Sequence, residues 1–373
     1  MEPRRRTIRV NGRPANTNFL GRVFGRLATL ALGVGIALAG VELATRIVMP
    51  HWLEYASERF MTTATADGQM VSIARPGFDG MFAQNNGDFR IHLQIDANGL
   101  RNDPGANPAG ALWAIGDSFT FGWGVERDQT YARAAAQALA LPDYLVASPG
   151  TDICGYQALV KRILTDAKPR AAIIGLTLEN DITDYEASCA PAAVQAADQA
   201  PPENIATRLK HRVIGIKQWL TPNSAFYNLM AVAAKRSPAL QSVLTRVGII
   251  APTLSQQWHT ARHNDATLDS TVRQLANLRA LLPPDIPVVV LLIPTRFDLE
   301  EPDSPWAEDR LALAARLRAN NLMVVDAEPS LRTAGLAHAH FPHDGHWSPL
   351  GHRLAGEAAA VVLQPLLNKE PPR

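Results

Sequence analysis

The chain has 373 residues, and its 36 Lys and Arg residues nearly balance its 35 Asp and Glu residues, for a net charge of +1. This length suits one large α/β domain with additions. The charge balance argues against a nucleic-acid-binding surface over the whole molecule, so no nucleic acid is expected among its partners.

The first 26 residues are basic, and an apolar segment follows them directly. Residues 27–41 contain no charged side chain, and the segment stays largely apolar to Met49, with Glu42 and Arg46 one helical turn apart. Residues 27–49 are 23 residues, and a bilayer-spanning helix needs about 20. Residues 1–26 are therefore predicted to be a basic cytoplasmic tail and residues 27–49 a transmembrane anchor, with the chain after Pro50 outside the cytoplasm.

A cleaved signal peptide is the alternative interpretation of this segment. The basic start and short apolar core fit it, and small residues near Ala39 or Ala44 could form a cleavage site. A buried globular helix fits poorly beside the cluster of arginines. The anchor interpretation predicts a single-pass protein of the bacterial inner membrane, with an extracytoplasmic, periplasmic main domain.

Residues 50–110 are predicted to connect the anchor to the main domain. Phe89, Ile91, Leu93 and Ile95 alternate with polar residues, a pattern typical of a half-buried strand. Turn signals flank this run at residues 85–87 and 96–99. The connector is therefore expected to contain a β-hairpin.

From residue 111 onward the pattern is that of a parallel α/β domain. Five apolar runs separated by helical segments are the predicted strands: residues 111–115, 144–147, 171–178, 286–293 and 322–325. Strands that are apolar on both faces favour a parallel sheet between two layers of helices. Asp128 is the predicted N-cap of a helix over residues 129–140, and Ser348 with Pro349 predicts the start of a closing helix.

Roughly a hundred residues separate the third and fourth predicted strands, far more than an ordinary crossover needs. Residues 185–283 are predicted to form a helical insertion, a lid or subdomain near the site. Its aromatic residues Trp219, Phe226 and Tyr227 are candidates to shape the substrate pocket. An amphipathic helix from Ile205 to Leu220 carries basic residues that suit either solvent or anionic lipid.

The chain has two cysteines, Cys154 and Cys189, each a few residues past a predicted strand end. An exported compartment would permit a disulfide between them. The alternative is that the two cysteines are unrelated small buried residues.

The triplet Gly116-Asp117-Ser118 follows the first predicted strand, a position suited to a serine nucleophile. Far downstream, Asp344 and His346 supply an acid and a base from one loop. Gly150 and Asn180 each follow another apolar run. Four elements in order therefore carry parts of a serine hydrolase.

These motifs resemble the four blocks of the SGNH/GDSL hydrolase superfamily, over residues 111 to about 366. The chain departs from that pattern at Leu145 and Leu178, where an asparagine and a glycine are common. The Asp-x-His spacing of Asp344 and His346, together with the anchor, resembles the membrane-associated branch that O-acetylates alginate. The resemblance implies a flavodoxin-like α/β/α sandwich with strand order 2-1-3-4-5.

The residue types fit the roles that this superfamily implies. Ser118 would attack an ester carbonyl, His346 would act as the base and Asp344 would orient the imidazole. The backbone N–H groups of Ser118 and Gly150, with the Asn180 amide, would form the oxyanion hole. No cofactor is expected.

A metal site is the main chemical alternative, because half of the ten histidines fall near the C-terminus. These residues are His338, His340, His343, His346 and His352. The favoured function is a serine esterase that forms an acyl-enzyme on an ester-bearing small molecule or an acylated polysaccharide. The alternatives are an O-acyltransferase or deacetylase of cell-envelope polysaccharide and a non-catalytic glycan-binding envelope protein.

Overall fold

The computed structural model describes residues 18–66, 68–84, 87–165, 167–185, 189, 216, 219–246, 263–301 and 303–368. Three predictions lie partly or wholly outside the described residues. They concern residues 1–17 of the basic tail, the turn at Asn85 and Asn86, and most of the amphipathic helix that starts at Ile205.

The main domain is built on a five-stranded parallel sheet with helices on both faces, so the predicted α/β/α sandwich is confirmed. Its strands are β5 (Leu112–Gly116), β6 (Asp143–Ala147), β7 (Ala171–Thr177), β8 (Val288–Ile293) and β9 (Met323–Asp326). Their order is β6-β5-β7-β8-β9, which is the predicted order 2-1-3-4-5. Ile115 pairs with Val146 on one side and Ile174 on the other. Strand β5, between β6 and the central strand β7, therefore delivers the residues after it to the carboxyl edge beside the residues that follow those two strands.

Two apolar layers flank this sheet, and the strand residues alternate between them. Trp113 and Ile115 point into one core, whereas Leu112 and Ala114 point into the other. The first core is closed by α4 (Ile153–Leu164), α8 (Asp265–Leu281) and α10 (Pro305–Ala319). The second is closed mainly by α3 (Tyr131–Leu139) and α13 (Pro349–Leu367).

The remaining helices are short or lie outside the sheet layers. They are α1 (Asn18–Val48), α2 (Ser118–Phe121), α5 (Leu178–Asp181), α6 (Ala225–Arg236), α7 (Pro238–Arg246), α9 (Arg296–Glu300), α11 (Glu328–Ala334) and α12 (Leu336–Ala339). Single 3-10 turns occupy Trp52–Tyr55, Ser57–Arg59 and Arg127–Gln129.

The predicted N-cap of helix α3 was wrong, and the predicted N-cap of helix α13 is confirmed. Helix α3 is capped by Thr130, whose hydroxyl accepts from Arg133 N at 3.3 Å, and not by Asp128. Asp128 instead lies in a 3-10 turn that Glu126 closes with a capping box of its own. Ser348 caps α13, with Pro349 in its first turn, as predicted.

The connector contains two antiparallel hairpins where the sequence predicted one. Strands β1 (Met61–Ala66) and β2 (Gln69–Ala74) form the first, and β3 (Asp79–Ala83) and β4 (Arg90–Gln94) form the second. The second contains the predicted alternating run. Its Phe82 ring packs edge-on against Trp123 at a centroid distance of 4.7 Å. The second hairpin therefore rests on the segment that follows Ser118.

Helix α1 is the N-terminal apolar helix that the sequence predicted. Within residues 21–48 an 18-residue stretch has a mean hydropathy of 2.0, and residues 21–41 are all exposed. Length and composition suffice for a single-pass anchor or a signal sequence. At its end, Arg46 bonds to Glu42 at 2.7 Å, the i,i+4 pair expected from the sequence.

The described part of the insertion was predicted to shape the pocket near Ser118. The structure instead docks α6 chiefly on α1 and on the turn Trp52–Tyr55. The backbone N–H of Phe226 bonds to Glu42 at 3.0 Å. The contact with α1 fixes the start of α6, and the pocket role of Trp219, Phe226 and Tyr227 stays a prediction.

The two cysteines form a disulfide, with their Cα atoms 5.3 Å apart. Cys154 lies in the first turn of α4, and Cys189 follows the segment after α5. The bond therefore joins the start of the insertion to the helical layer beside the sheet.

Candidate active site

Ser118 opens helix α2, with only Asp117 between it and the end of strand β5. The N-cap is Asp117, whose Oδ1 accepts a hydrogen bond from Phe119 N at 3.0 Å. Gly116 has to be a glycine, because a Cβ there would lie 2.1 Å from Thr120 Oγ1. This tight strand-to-helix turn places a half-buried Ser118 hydroxyl at the carboxyl edge of the sheet.

Three of the predicted site residues form one hydrogen-bonded chain. Ser118 Oγ lies 2.7 Å from His346 Nε2. On the other side of the ring, His346 Nδ1 bonds to Asp344 Oδ1, which also accepts the His346 backbone N–H at 3.0 Å. Since the carboxylate is the acceptor for Nδ1–H, Nε2 is left to accept the Ser118 hydroxyl proton. The chain can therefore activate the serine hydroxyl.

Asp344 has a second partner that sequence reasoning missed. Gln84 follows strand β3 in the connector, and its Nε2 donates to Asp344 Oδ2 at 2.9 Å. Burial of Asp344 favours the neutral acid, but its hydrogen bonds from His346 and Gln84 and the charge of His346 outweigh this and lower its pKa to about 2. Asp344 is therefore a carboxylate at any pH where an esterase would work.

The same hairpin also holds the loop that carries Asp344 and His346. The backbone N–H of His343 donates to Asp88 at 2.8 Å, and His343 Nδ1 lies 2.7 Å from the same carboxylate. Phe89 packs on Phe341, with ring centroids 5.4 Å apart. The hairpin and the loop thus meet through one ring pair and two sets of polar contacts.

Aromatic rings fix the position of the His346 imidazole. Phe119 lies 4.8 Å from it and Trp123 lies 6.1 Å from it, between centroids. Trp347, fully buried, packs edge-on against Phe119 at 5.1 Å. The imidazole therefore has little freedom to rotate away from Ser118.

The predicted oxyanion-hole residues follow neighbouring strands. Gly150 comes after β6 with a backbone φ of +74°, and a side chain there would meet no atom within 4 Å. Asn180 lies in α5 after β7, and its Nδ2 donates to Asp117 Oδ2 at 2.9 Å. An amide nitrogen carries two N–H bonds, so one remains for a ligand. Ser118, Gly150 and Asn180 thus share the carboxyl edge of three adjacent strands.

Buried acids hold the turn that carries Asn180. Asp181 is fully buried, and it accepts a hydrogen bond from Tyr156 Oη at 2.9 Å and one from Thr177 N at 2.8 Å. Burial raises the pKa of Asp181 well above its ordinary value, and burial also raises the pKa of Asp117. These contacts fix Asn180 relative to Ser118.

The other C-terminal histidines do not converge on a metal site. His352 is fully buried, and its Nδ1 accepts from Tyr131 N at 3.3 Å. Burial lowers the pKa of His340 and of His352 to about 3. Among the described residues, no group of three His, Cys, Asp or Glu side chains is placed to hold a metal ion.

No protein-family model matches the sequence, and no curated protein matches it. Several solved structures are similar to about two thirds of the chain. A protein assigned as an SGNH hydrolase from Slackia heliotrinireducens is 10% identical, with a TM-score of 0.33, over 68% of this chain and 98% of its own. A lipolytic protein of the G-D-S-L family from Desulfitobacterium hafniense is 14% identical, with a TM-score of 0.35, over 69% and 100%.

A third structure is a carbohydrate esterase family 2 enzyme with a carbohydrate-binding domain, from Corynascus thermopiles. It is 15% identical, with a TM-score of 0.36, over 73% of this chain and 70% of its own.

Proposed function

We propose that the protein is a serine esterase of the SGNH/GDSL type, which cleaves an acyl ester through an acyl-enzyme. The observation that carries the proposal is the hydrogen-bonded chain from Ser118 through His346 to Asp344. A serine hydroxyl needs such a base to become a nucleophile near neutral pH.

In the proposed first half-reaction, Ser118 Oγ attacks the ester carbonyl and its proton passes to His346 Nε2. Negative charge develops on the carbonyl oxygen, where the N–H groups of Ser118, Gly150 and Asn180 would stabilise it. The C–O bond of the ester then breaks, and His346 returns the proton to the leaving alcohol. The acyl group remains on Ser118.

In the second half-reaction, water attacks the acyl-enzyme. His346 takes a proton from the water, the acyl C–O bond to Ser118 breaks, and the serine regains its proton. Asp344 stays ionised throughout, because its pKa is about 2, and it holds the imidazolium in place. Gln84 acts as a positioning residue through its bond to Asp344.

The experiment uses the full chain in detergent micelles, with a fluorophosphonate probe and p-nitrophenyl acetate. Both labelling and turnover are expected to vanish in Ser118→Ala and to persist in the matched variant Ser72→Ala, in strand β2. Labelling that survives in Ser118→Ala contradicts the assigned nucleophile. A folded protein that is neither labelled nor active points to a glycan-binding envelope protein instead.

Transfer of the acyl group to a polysaccharide hydroxyl is the second candidate function, favoured by the short Asp-x-His spacing of Asp344 and His346. The chemistry up to the acyl-enzyme is the same, and only the acceptor differs. Partition of a radiolabelled acetyl group between water and an oligosaccharide distinguishes the two. Release to water alone rejects transfer, and deacetylation of an acetylated glycan would instead identify a deacetylase.

We also propose that the site works outside the cytoplasm of a bacterium, at the inner membrane. Residues 1–26 would be the cytoplasmic tail, 27–49 the anchor, 50–110 the connector and 111–373 the periplasmic catalytic domain. The disulfide between Cys154 and Cys189 supports this, because such bonds persist in oxidising compartments. Protease added to spheroplasts tests this orientation. It should cleave the catalytic domain and leave the tail protected, and the opposite pattern would show that the orientation is reversed.

A further inference from the structure

Helix α6 exposes apolar side chains on its outer face, and its inner face buries one polar side chain beside the apolar Ala225. Its buried face carries Asn228, which is fully buried and donates from Nδ2 to Thr221 O at 2.8 Å. Its exposed face carries Leu229, Met230 and Ala233, and the Met230 side chain is 47% exposed. A surface helix in water normally has polar side chains on its exposed face.

The start of α6 is fixed to the end of helix α1. Glu42 accepts hydrogen bonds from Ser224 Oγ at 2.8 Å, from Ala225 N at 2.8 Å and from Phe226 N at 3.0 Å. Arg46 pairs with Glu42 and also donates to Asn223 O at 3.0 Å. The first turn of α6 therefore lies at the same height as the turn of α1 from Glu42 to Arg46.

The length of α1 sets that height relative to a bilayer. The charge-free stretch of residues 27–41 is 15 residues, or about 22 Å of helix at 1.5 Å per residue. A hydrocarbon core is about 30 Å thick. The turn from Glu42 to Arg46 is therefore needed to complete the span, and it lies at the outer boundary of the acyl chains.

We propose that the exposed face of α6 lies on the outer leaflet of the membrane that holds α1. This inference rests on the proposed anchor. Trp219, just before α6, is 65% exposed, as expected for an aromatic ring at the membrane–water interface.

A lid over the active site is the obvious rival role for α6. Its described contacts are chiefly with α1, the turn Trp52–Tyr55 and α7. Asn228 Nδ2 lies 3.4 Å from Trp52 O, and Arg46 stacks on the Trp52 ring at 4.7 Å. These contacts tie α6 to the exit of the membrane helix. Two attachments to the bilayer would fix the orientation of the catalytic domain, which one helix would leave free to rotate.

The test places an environment-sensitive NBD fluorophore on single cysteines in the full chain, reconstituted in phosphatidylcholine nanodiscs. The only two native cysteines are joined in a disulfide, so labelling is confined to the introduced residue. The variants are Met230→Cys on α6, Ile36→Cys on α1 and Val361→Cys on α13. Ile36 and Val361 are both exposed apolar residues, at 66% and 72%, and Val361 is the matched control.

Doxyl-labelled lipid is expected to quench the probes at positions 230 and 36 at least three-fold more than the probe at 361. Quenching at 36 without quenching at 230 overturns the inference and leaves the anchor intact. If the 230 probe is then also shielded from iodide, a protein partner or a second copy covers α6. Absence of quenching at 36 overturns the anchor itself, and the inference with it.

Discussion

Replacing Gln84 by alanine tests whether the connector hairpin takes part in catalysis. The change removes one hydrogen bond to the buried carboxylate of Asp344. Because the acceptor is charged, this hydrogen bond contributes about 1.5–3 kcal/mol. If the whole of this energy is lost from the transition state, kcat/KM falls about 10- to 150-fold, since about 1.4 kcal/mol of activation free energy corresponds to a ten-fold change in rate. The assay is p-nitrophenyl acetate hydrolysis, normalised by fluorophosphonate titration of active sites.

The pH dependence separates this role from a merely structural one. Gln84 helps to lower the pKa of Asp344, so its removal raises that pKa. The ratio of wild-type to Gln84→Ala rates should therefore grow as the pH falls toward about 4, the ordinary value for Asp. Gln94→Ala is the matched control, because Gln94 lies on strand β4 of the same hairpin and bonds to Asp79 instead. Equal rates for Gln84→Ala and wild type, at constant ratio across pH, would refute the reasoning.

Three further predictions concern the acid, a buried histidine and the disulfide. Asp344→Asn should lower kcat about 10⁴-fold and slow the labelling of Ser118 in parallel, because His346 would be left in the wrong tautomer. A loss of kcat below about ten-fold contradicts the role of Asp344 in orienting the imidazole. The pKa of His352 falls from 6.5 unfolded to about 3 folded, so the unfolded chain binds the extra proton and stability should fall as pH drops below about 6.5. The free energy of unfolding in urea should depend less on pH in His352→Gln than in wild type. The same pH dependence in both would show that burial of His352 does not cause it. The disulfide between Cys154 and Cys189 closes a loop with a sequence separation of 35 residues. Its reduction should lower the free energy of unfolding by about 4 kcal/mol, because the unfolded chain gains the entropy of the opened loop. If Cys154→Ser has the same thermal stability as wild type, the disulfide makes no such contribution.

Local patterns in the sequence predicted most of the architecture. Runs such as residues 286–293 are apolar on both faces. This pattern is typical of a strand that is buried between two layers of helices. The Ser348 cap and the alternating run from Phe89 to Ile95 are likewise local signals, and both elements are present. Strand ends moved by a residue or two, because pairing with neighbours sets them. Asp128 failed as a cap because it lies inside the 3-10 turn that Glu126 caps, and the helix begins only after Thr130.

The sequence by itself also determined that Ser118 follows a strand and that Asp344 and His346 share one loop. Only the tertiary structure decided how distant segments meet. Gln84 reaches Asp344 across 260 positions, and Glu42 reaches Phe226 across 184. Side-chain hydrogen bonds between such segments leave no periodicity in either one, because each depends on a single donor and a single acceptor. The geometry of packing alone brings them within bonding distance.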